Sequence, residues 1–213
     1  MKRITLALTG ASGMTYGIRL LECLLRAGCR VDLLISNAAR IVARQELDLT
    51  LPADGRELAA LLDARFAGHG GQLNAYGKEE WFAPAASGSN PADAMVVCPC
   101  TMGALAAIAH GLADNLIERA ADVMLKERRP LILVPRETPF NLIHLRNMTQ
   151  LAEAGATLLP ANPGFYHRPQ RVDQVVDFIV ARILDQLAVP HQLMARWGEA
   201  AADPSPGHTR PGP

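Results

Sequence analysis

The chain has 213 residues, 49% of them apolar, which is enough to bury a full core and suits one α/β domain better than two. Lysine plus arginine balances aspartate plus glutamate at 21 each, so no global field draws the protein to nucleic acid or to an anionic bilayer, and any anion site must be local. No apolar run is long enough to span a membrane. The first residues, Met1 to Thr9, have a basic start and a short apolar stretch that runs straight into Gly10-Ala11-Ser12-Gly13. With no usable hydrophobic region, this segment reads as a first buried strand rather than a secretory signal.

Strand-like runs lie at 4–8, 31–35, 94–98, 131–134 and 157–159, and helical periodicity covers 16–26, 38–46, 56–66, 105–126, 141–154 and 172–187. The alternation predicts an α/β fold: a three-layer, Rossmann-like or flavodoxin-like single domain with a mostly parallel sheet and helices on both faces. The unbroken apolar runs Met95-Val96-Val97 and Leu131-Ile132-Leu133-Val134 suit strands covered on both sides. Gly and Pro clusters punctuate the elements without separating two cores, so residues 1–199 are expected to form one domain. The segment 200–213, with Pro204, Pro206, Pro211 and Pro213, is expected to be disordered. Cys23, Cys29, Cys98 and Cys100 sit in apolar segments without the density of a disulfide scaffold, which points to a reducing cytosol.

Polar turns carry the chemistry. In an open parallel sheet the carboxyl ends of the strands share one edge, so short Gly, Ser and Thr turns there gather hydroxyls and backbone N–H groups around one crevice. Gly10-Ala11-Ser12-Gly13 follows the first strand and opens a helix, and Ala86-Ser87-Gly88-Ser89 is expected to follow a strand in the same way. Cys98-Pro99-Cys100-Thr101 places Thr101 where Ser12 stands in the first unit. Neither GxGxxG nor GxxxxGK[ST] is present, which favours a mononucleotide over a dinucleotide or a nucleoside triphosphate. Ser12 and Ser36 fit a simple N-cap as well as a ligand contact. The two cysteines around Pro99 lack a second pair, so they do not make a zinc site.

Arg136 stands at the end of the strand over 131–134, beside Glu137, where a guanidinium can fork onto a phosphate and a carboxylate can move a proton; a surface ion pair is the plainer reading. Trp81 and Trp197 fall in or beside loops, where they either seal a subunit interface or wall a delocalised cation. No GxSxG or HExxH occurs, so hydrolase chemistry loses support.

Together, Thr9-Gly10-Ala11-Ser12-Gly13, Leu34-Ile35-Ser36, Ala86-Ser87-Gly88-Ser89, Cys98-Pro99-Cys100-Thr101, the stretch from Asn115 to Leu131, Val134-Pro135-Arg136-Glu137-Thr138-Pro139 and Pro163-Gly164-Phe165-Tyr166-His167 closely resemble the UbiX/Pad family of flavin prenyltransferases. The resemblance implies an enzyme that takes reduced FMN and dimethylallyl monophosphate and joins the dimethylallyl group to flavin N5 and C6 without a metal. Its product, prenylated FMN, serves UbiD-type decarboxylases. The resemblance assigns FMN to Gly10, Ala11, Ser12, Ser36, Thr101, Met102, Gly103, Ala104 and Arg136. It assigns the allylic phosphate to Tyr166 and Arg182, helped by Lys126 and Arg119 from a neighbouring subunit, with Ser87, Trp81 and Trp197 around them. Glu46 and Glu137 match acidic positions at the reaction centre, with Ser12, Tyr166 and Lys126 beside them. Met102 stands where relatives often carry a small polar residue, so it is expected to bear on flavin affinity. The resemblance also implies a homododecamer.

Two other readings stay open. A related flavin-dependent cysteine decarboxylase would carry a His near the second strand, but Ser36 is followed by Asn37-Ala38-Ala39-Arg40. A non-catalytic flavin carrier would bind FMN and form no product.

Overall fold

The computed structural model describes residues 1–66 and 72–195. Strands β1 (Arg3–Leu8), β2 (Arg30–Ile35), β3 (Leu73–Tyr76), β4 (Ala94–Cys100), β5 (Leu131–Pro135) and β6 (Thr157–Leu158) make one parallel sheet in the order β3-β2-β1-β4-β5-β6. That is the doubly wound Rossmann order. Helices α1 (Met14–Arg26), α2 (Asn37–Leu47), α3 (Gly55–Arg65) and α7 (Val172–Gln186) pack on one face; α4 (Met102–Ala109), α5 (Leu116–Lys126) and α6 (Leu142–Glu153) pack on the other.

The two-residue period of a strand divides its side chains between these layers. Ile4, Leu6 and Leu8 of β1 enter the core under α1 and α7, whereas Ala7 enters the core under α4 and α5. In α1, Met14, Ile18, Leu21 and Leu25 recur at helical spacing and are buried. Among the described residues no helix is long and apolar enough to cross a membrane.

Three expectations need correction. β3 is an additional strand: at four residues on the sheet edge, with one face against α3, it has too little periodicity to register as a strand. The helix expected over 105–126 is two helices. Gly111 at φ 67° ends the first, and the Asn115 side chain starts the second by accepting from the N–H groups of Ile117 and Glu118. Finally, Ser87-Gly88-Ser89 follows a short 3-10 turn (Pro84–Ala86) and not a strand. The expected tail over 200–213 lies outside the described residues.

Gly17 shows how tightly α1 sits on the sheet. A methyl group there would lie 2.4 Å from the carbonyl oxygen of Cys98, a backbone atom that cannot turn aside. Gly17→Ala is therefore expected to lower stability by about 1–3 kcal/mol, read as an earlier urea midpoint with an unchanged slope. An unaltered midpoint would show that α1 can slide away from β4 at no cost.

Candidate active site

Chain connections diverge from β1 toward β2 and from β4 toward β5, so a crevice opens between the carboxyl ends of β1 and β4. Thr9 stitches its two walls together. Its buried hydroxyl donates to the Pro99 carbonyl at 2.7 Å and accepts from the Thr101 N–H at 2.8 Å. The turn Gly10–Gly13 is thereby fixed beside the turn Thr101–Ala104. Ser36 joins from the next strand, its N–H donating to the Leu8 carbonyl at 3.1 Å.

Thr101 and Ser36 are both N-caps: their hydroxyl oxygens accept from the N–H groups of Ala104 and Ala39, each at 3.1 Å. A capping hydroxyl keeps its own O–H to donate elsewhere. Each therefore supports a helix start and can still hold an oxygen of a ligand. Gly10 lets the first turn approach α2, since a methyl group there would lie 2.4 Å from Ala38 Cβ. Ala11 is buried and Ser12 is exposed beside it.

The amino end of α1 differs from the expected phosphate cradle. Glu46 reaches back from α2 and accepts from the Gly13 N–H at 3.0 Å and the Met14 N–H at 2.9 Å. A carboxylate suits the positive end of that helix. These two N–H groups already hold the protein's own anion.

Arg136 directly follows β5 at the same edge, with its N–H toward the Cys100 carbonyl at 3.4 Å. Its Nε is buried and has no hydrogen-bond partner among the described residues. A buried N–H without an acceptor costs about 1–3 kcal/mol, so this donor fits a site that takes an oxygen-rich ligand. Glu137 is half-buried next to it, its Oε1 accepting from the Thr138 N–H at 3.2 Å. Two capped helix ends, the turn at Gly10 and a partnerless guanidinium N–H fit the phosphate and polar ring edge of FMN.

Met102, expected to bear on flavin affinity, has no exposed side chain at the start of α4. Its side chain is buried in the core beneath α4, while Gly103 is exposed. Burial pushes the thiols of Cys98 and Cys100 upward, that of Cys100 to about 12, so both stay neutral. Among the described residues no group of three His, Cys, Asp or Glu side chains is placed to hold a metal.

The remaining expected residues lie elsewhere on the chain. Lys126 ends α5 shortly before β5 begins, which places it toward the amino edge of the sheet. It pairs with Glu127, and both pack against Gly88. The loop holding Ser87 reaches the same edge, because Asn90 accepts from Arg3, the first residue of β1, at 2.8 Å. Arg119 is paired with Asp122 at 2.7 Å and donates to the Ala86 carbonyl at 3.0 Å.

Arg182 is in the last turns of α7, whose end is tied to Lys2 through the Leu187 and Ala188 carbonyls at 2.6 and 2.9 Å. Tyr166 is exposed in a loop that folds onto α7, where the neighbouring His167 stacks on Phe178 with ring centroids 5.7 Å apart. Phe178 is one helical turn from Arg182. Trp81 is exposed just past β3 with Phe82 beside it, and Trp197 lies outside the described residues. The structure thus brings Gly10, Ala11, Ser12, Ser36, Glu46, Thr101, Arg136 and Glu137 to one edge, and leaves Ser87, Lys126 and Arg182 toward the other. Sequence reasoning assigns no role to Thr9, Asp185 or His191; only the position of Thr9, directly before the Gly10 turn, offered a signal.

A Rossmann-ordered sheet with such a crevice is the architecture of nucleotide-binding α/β proteins, and the model of the Flavoprotein family matches residues 1–184. A flavin prenyltransferase UbiX from Pseudomonas aeruginosa is 54% identical over 198 residues, 93% of this chain and 95% of the relative. Among solved structures, AnUbiX (PadA1) in complex with FMN and dimethylallyl pyrophosphate superposes with a TM-score of 0.82 at 38% identity, over 94% of this chain and 99% of that one. A dodecameric FMN-dependent UbiX-like decarboxylase from Escherichia coli O157:H7 superposes with a TM-score of 0.77 at 38% identity, over 89% and 96%. The chain belongs to the flavoprotein family and, within it, to the UbiX flavin prenyltransferases.

Thr9→Val keeps the side-chain shape but takes the buried acceptor from the Thr101 N–H, while the Pro99 carbonyl loses the hydroxyl and still accepts from the Thr9 N–H at 3.3 Å. A loss of about 1–3 kcal/mol in urea denaturation is expected, together with weaker retention of FMN on gel filtration. Retention equal to the parent would show that the two turns are aligned by something other than this hydroxyl.

Proposed function

We propose that this protein transfers the dimethylallyl group of dimethylallyl monophosphate to N5 and C6 of reduced FMN and releases prenylated FMN for a UbiD-type decarboxylase. The observation that carries the reading is the Arg136 Nε, buried without a partner among the described residues on the edge that also holds the capped turns at Ser36 and Thr101, in a chain 54% identical to a flavin prenyltransferase. Thr101 to Ala104, Ser36 and Arg136 would hold the flavin nucleotide, with Gly10, Ala11 and Ser12 forming the wall beside it.

Reduced flavin supplies the electron pair at N5 that takes the allyl carbon as its C–O bond to phosphate breaks. The cationic side chains Arg182, Lys126 and Arg119 stabilise the departing phosphate, and Tyr166 and Trp81, with Trp197, offer π faces to the delocalised allyl cation. The N5 proton leaves with the phosphate. Closing the second bond then requires a proton on the alkene CH carbon, donated by Glu137 or the departing phosphate, so that C6 attacks the tertiary cation and returns its own proton to that group. Glu46, bound to the Gly13 and Met14 N–H groups, keeps the Ser12 turn in place.

One chain does not carry these groups on one edge, so the complete site is formed where subunits meet. We read the assembly as a homododecamer, as described for the Escherichia coli neighbour. A reducing cytosol suits both the reduced flavin and four free cysteines.

Anaerobic incubation with reduced FMN and dimethylallyl monophosphate, without added metal, is expected to yield a flavin heavier by one C5H8 unit on mass spectrometry. Glu137→Gln is expected to retain FMN while slowing turnover by about 10²-fold or more. Bound but unmodified FMN with intact allylic phosphate would move the assignment to the decarboxylase or carrier reading, and wild-type turnover in Glu137→Gln would remove Glu137 as the group that moves the proton.

A further inference from the structure

Beyond the crevice, α7 and the segment after it carry a connected row of three polar side chains. Arg182 Nη1 donates to Asp185 Oδ2 at 2.7 Å, and the second carboxylate oxygen, Oδ1, lies 3.1 Å from His191 Nε2. His191 Nδ1 faces the Leu193 N–H at 3.4 Å. A backbone N–H can only donate, so Nδ1 is the acceptor and the ring hydrogen stands on Nε2, directed at Asp185. The backbone after α7 thereby fixes His191, His191 fixes the carboxylate, and the carboxylate fixes the guanidinium.

An exposed i,i+3 ion pair alone does little to restrain a long side chain. Here the pair has a second anchor, since the His191 side chain is only 15% exposed while that of Arg182 is 54% exposed. The three groups line a cavity of about 490 Å³ whose other walls include Phe178, Ala181 and Met194. A cavity with one oriented guanidinium and an apolar remainder matches a short isoprenyl chain ending in phosphate.

We propose that Asp185 and His191 are positioning residues that hold the Arg182 fork for the phosphate of an isoprenyl monophosphate. The proposal rests on the reading of Arg182 given above. With Nη1 committed to Asp185, the plane of the guanidinium is set and its remaining N–H groups can grip phosphate oxygens without first losing rotamer freedom. Loss of either anchor lets Arg182 wander, which weakens phosphate capture and leaves flavin binding alone.

The test uses the full-length oligomer, with steady-state prenyl transfer and FMN affinity measured on Arg182→Ala, Asp185→Ala, His191→Leu, His191→Gln and the Arg182→Ala/Asp185→Ala pair. Asp185→Ala and His191→Leu are expected to raise KM for dimethylallyl monophosphate by about 3–10-fold, with FMN affinity and melting temperature near the parent. His191→Gln, whose amide N–H stands in for Nε2, is expected to recover to within about twofold. Asp185→Ala should add nothing once Arg182 is gone. If Arg182→Ala raises KM while Asp185→Ala and His191→Leu do not, the positioning role is overturned. Equal impairment in His191→Gln and His191→Leu, or loss of FMN binding in either, also overturns it by assigning His191 to packing. A parent-like KM in Arg182→Ala would instead sink the reading of Arg182 itself.

Discussion

The site depends on one buried hydroxyl. Thr9 accepts the Thr101 N–H and donates to the Pro99 carbonyl at the point where the winding of the sheet reverses. Neighbouring parallel strands leave unpaired backbone groups at their carboxyl ends, and these must find partners once buried. Here a side chain from one strand satisfies two such groups on the next. The consequence is geometric: the Gly10 turn, the α4 N-cap and, through β5, Arg136 are fixed on one edge with little freedom to spread.

The same topology that assembles this edge removes other functional groups from it. Each helix between parallel strands runs back toward the amino edge, so its last residues finish far from the crevice. Lys126 ends α5 and Arg182 is near the end of α7, which places both cations toward the edge opposite Arg136. A reaction that separates a phosphate from a carbocation needs cations, aromatic faces and flavin together. In the assembly we propose, subunit contact supplies what a single doubly wound domain cannot. The exposed Trp81, Phe82, Phe165 and Tyr166 side chains, too apolar to face water without loss, agree with such contact.

Much of this was legible in the sequence because the governing signals are local. Strand and helix periods, the Gly10 turn and the hydroxyls of Ser36 and Thr101 all act within a few residues of themselves. The split of the 105–126 helix was also visible in principle, at Gly111 and at Asn115 ahead of Glu118, but strong apolar periodicity on both sides masked it. Edge strand β3 was not visible, since a four-residue run owes its state to pairing with β2 rather than to its own pattern. Contacts between distant residues stayed hidden for the same reason. Glu46 meets Gly13 across 33 positions and Thr9 meets Pro99 across 90, and no spacing rule predicts either. The resemblance could name Arg182, but its anchoring through Asp185 and His191 depends on how the chain turns after α7.

In the assembly we propose, each working site combines the Arg136 edge of one subunit with the Lys126 edge of another. Two inactive variants, Glu137→Ala and Lys126→Ala, can be co-expressed in equal amounts with different tags, and doubly tagged oligomers purified for prenyl-transfer assays. If the edges meet between subunits, half the crevices keep Glu137 and half of those meet an intact Lys126, so activity should return to about a quarter of the parent rate. Mixed oligomers no more active than the two variants alone would contradict the account and place both residues in the site of a single chain.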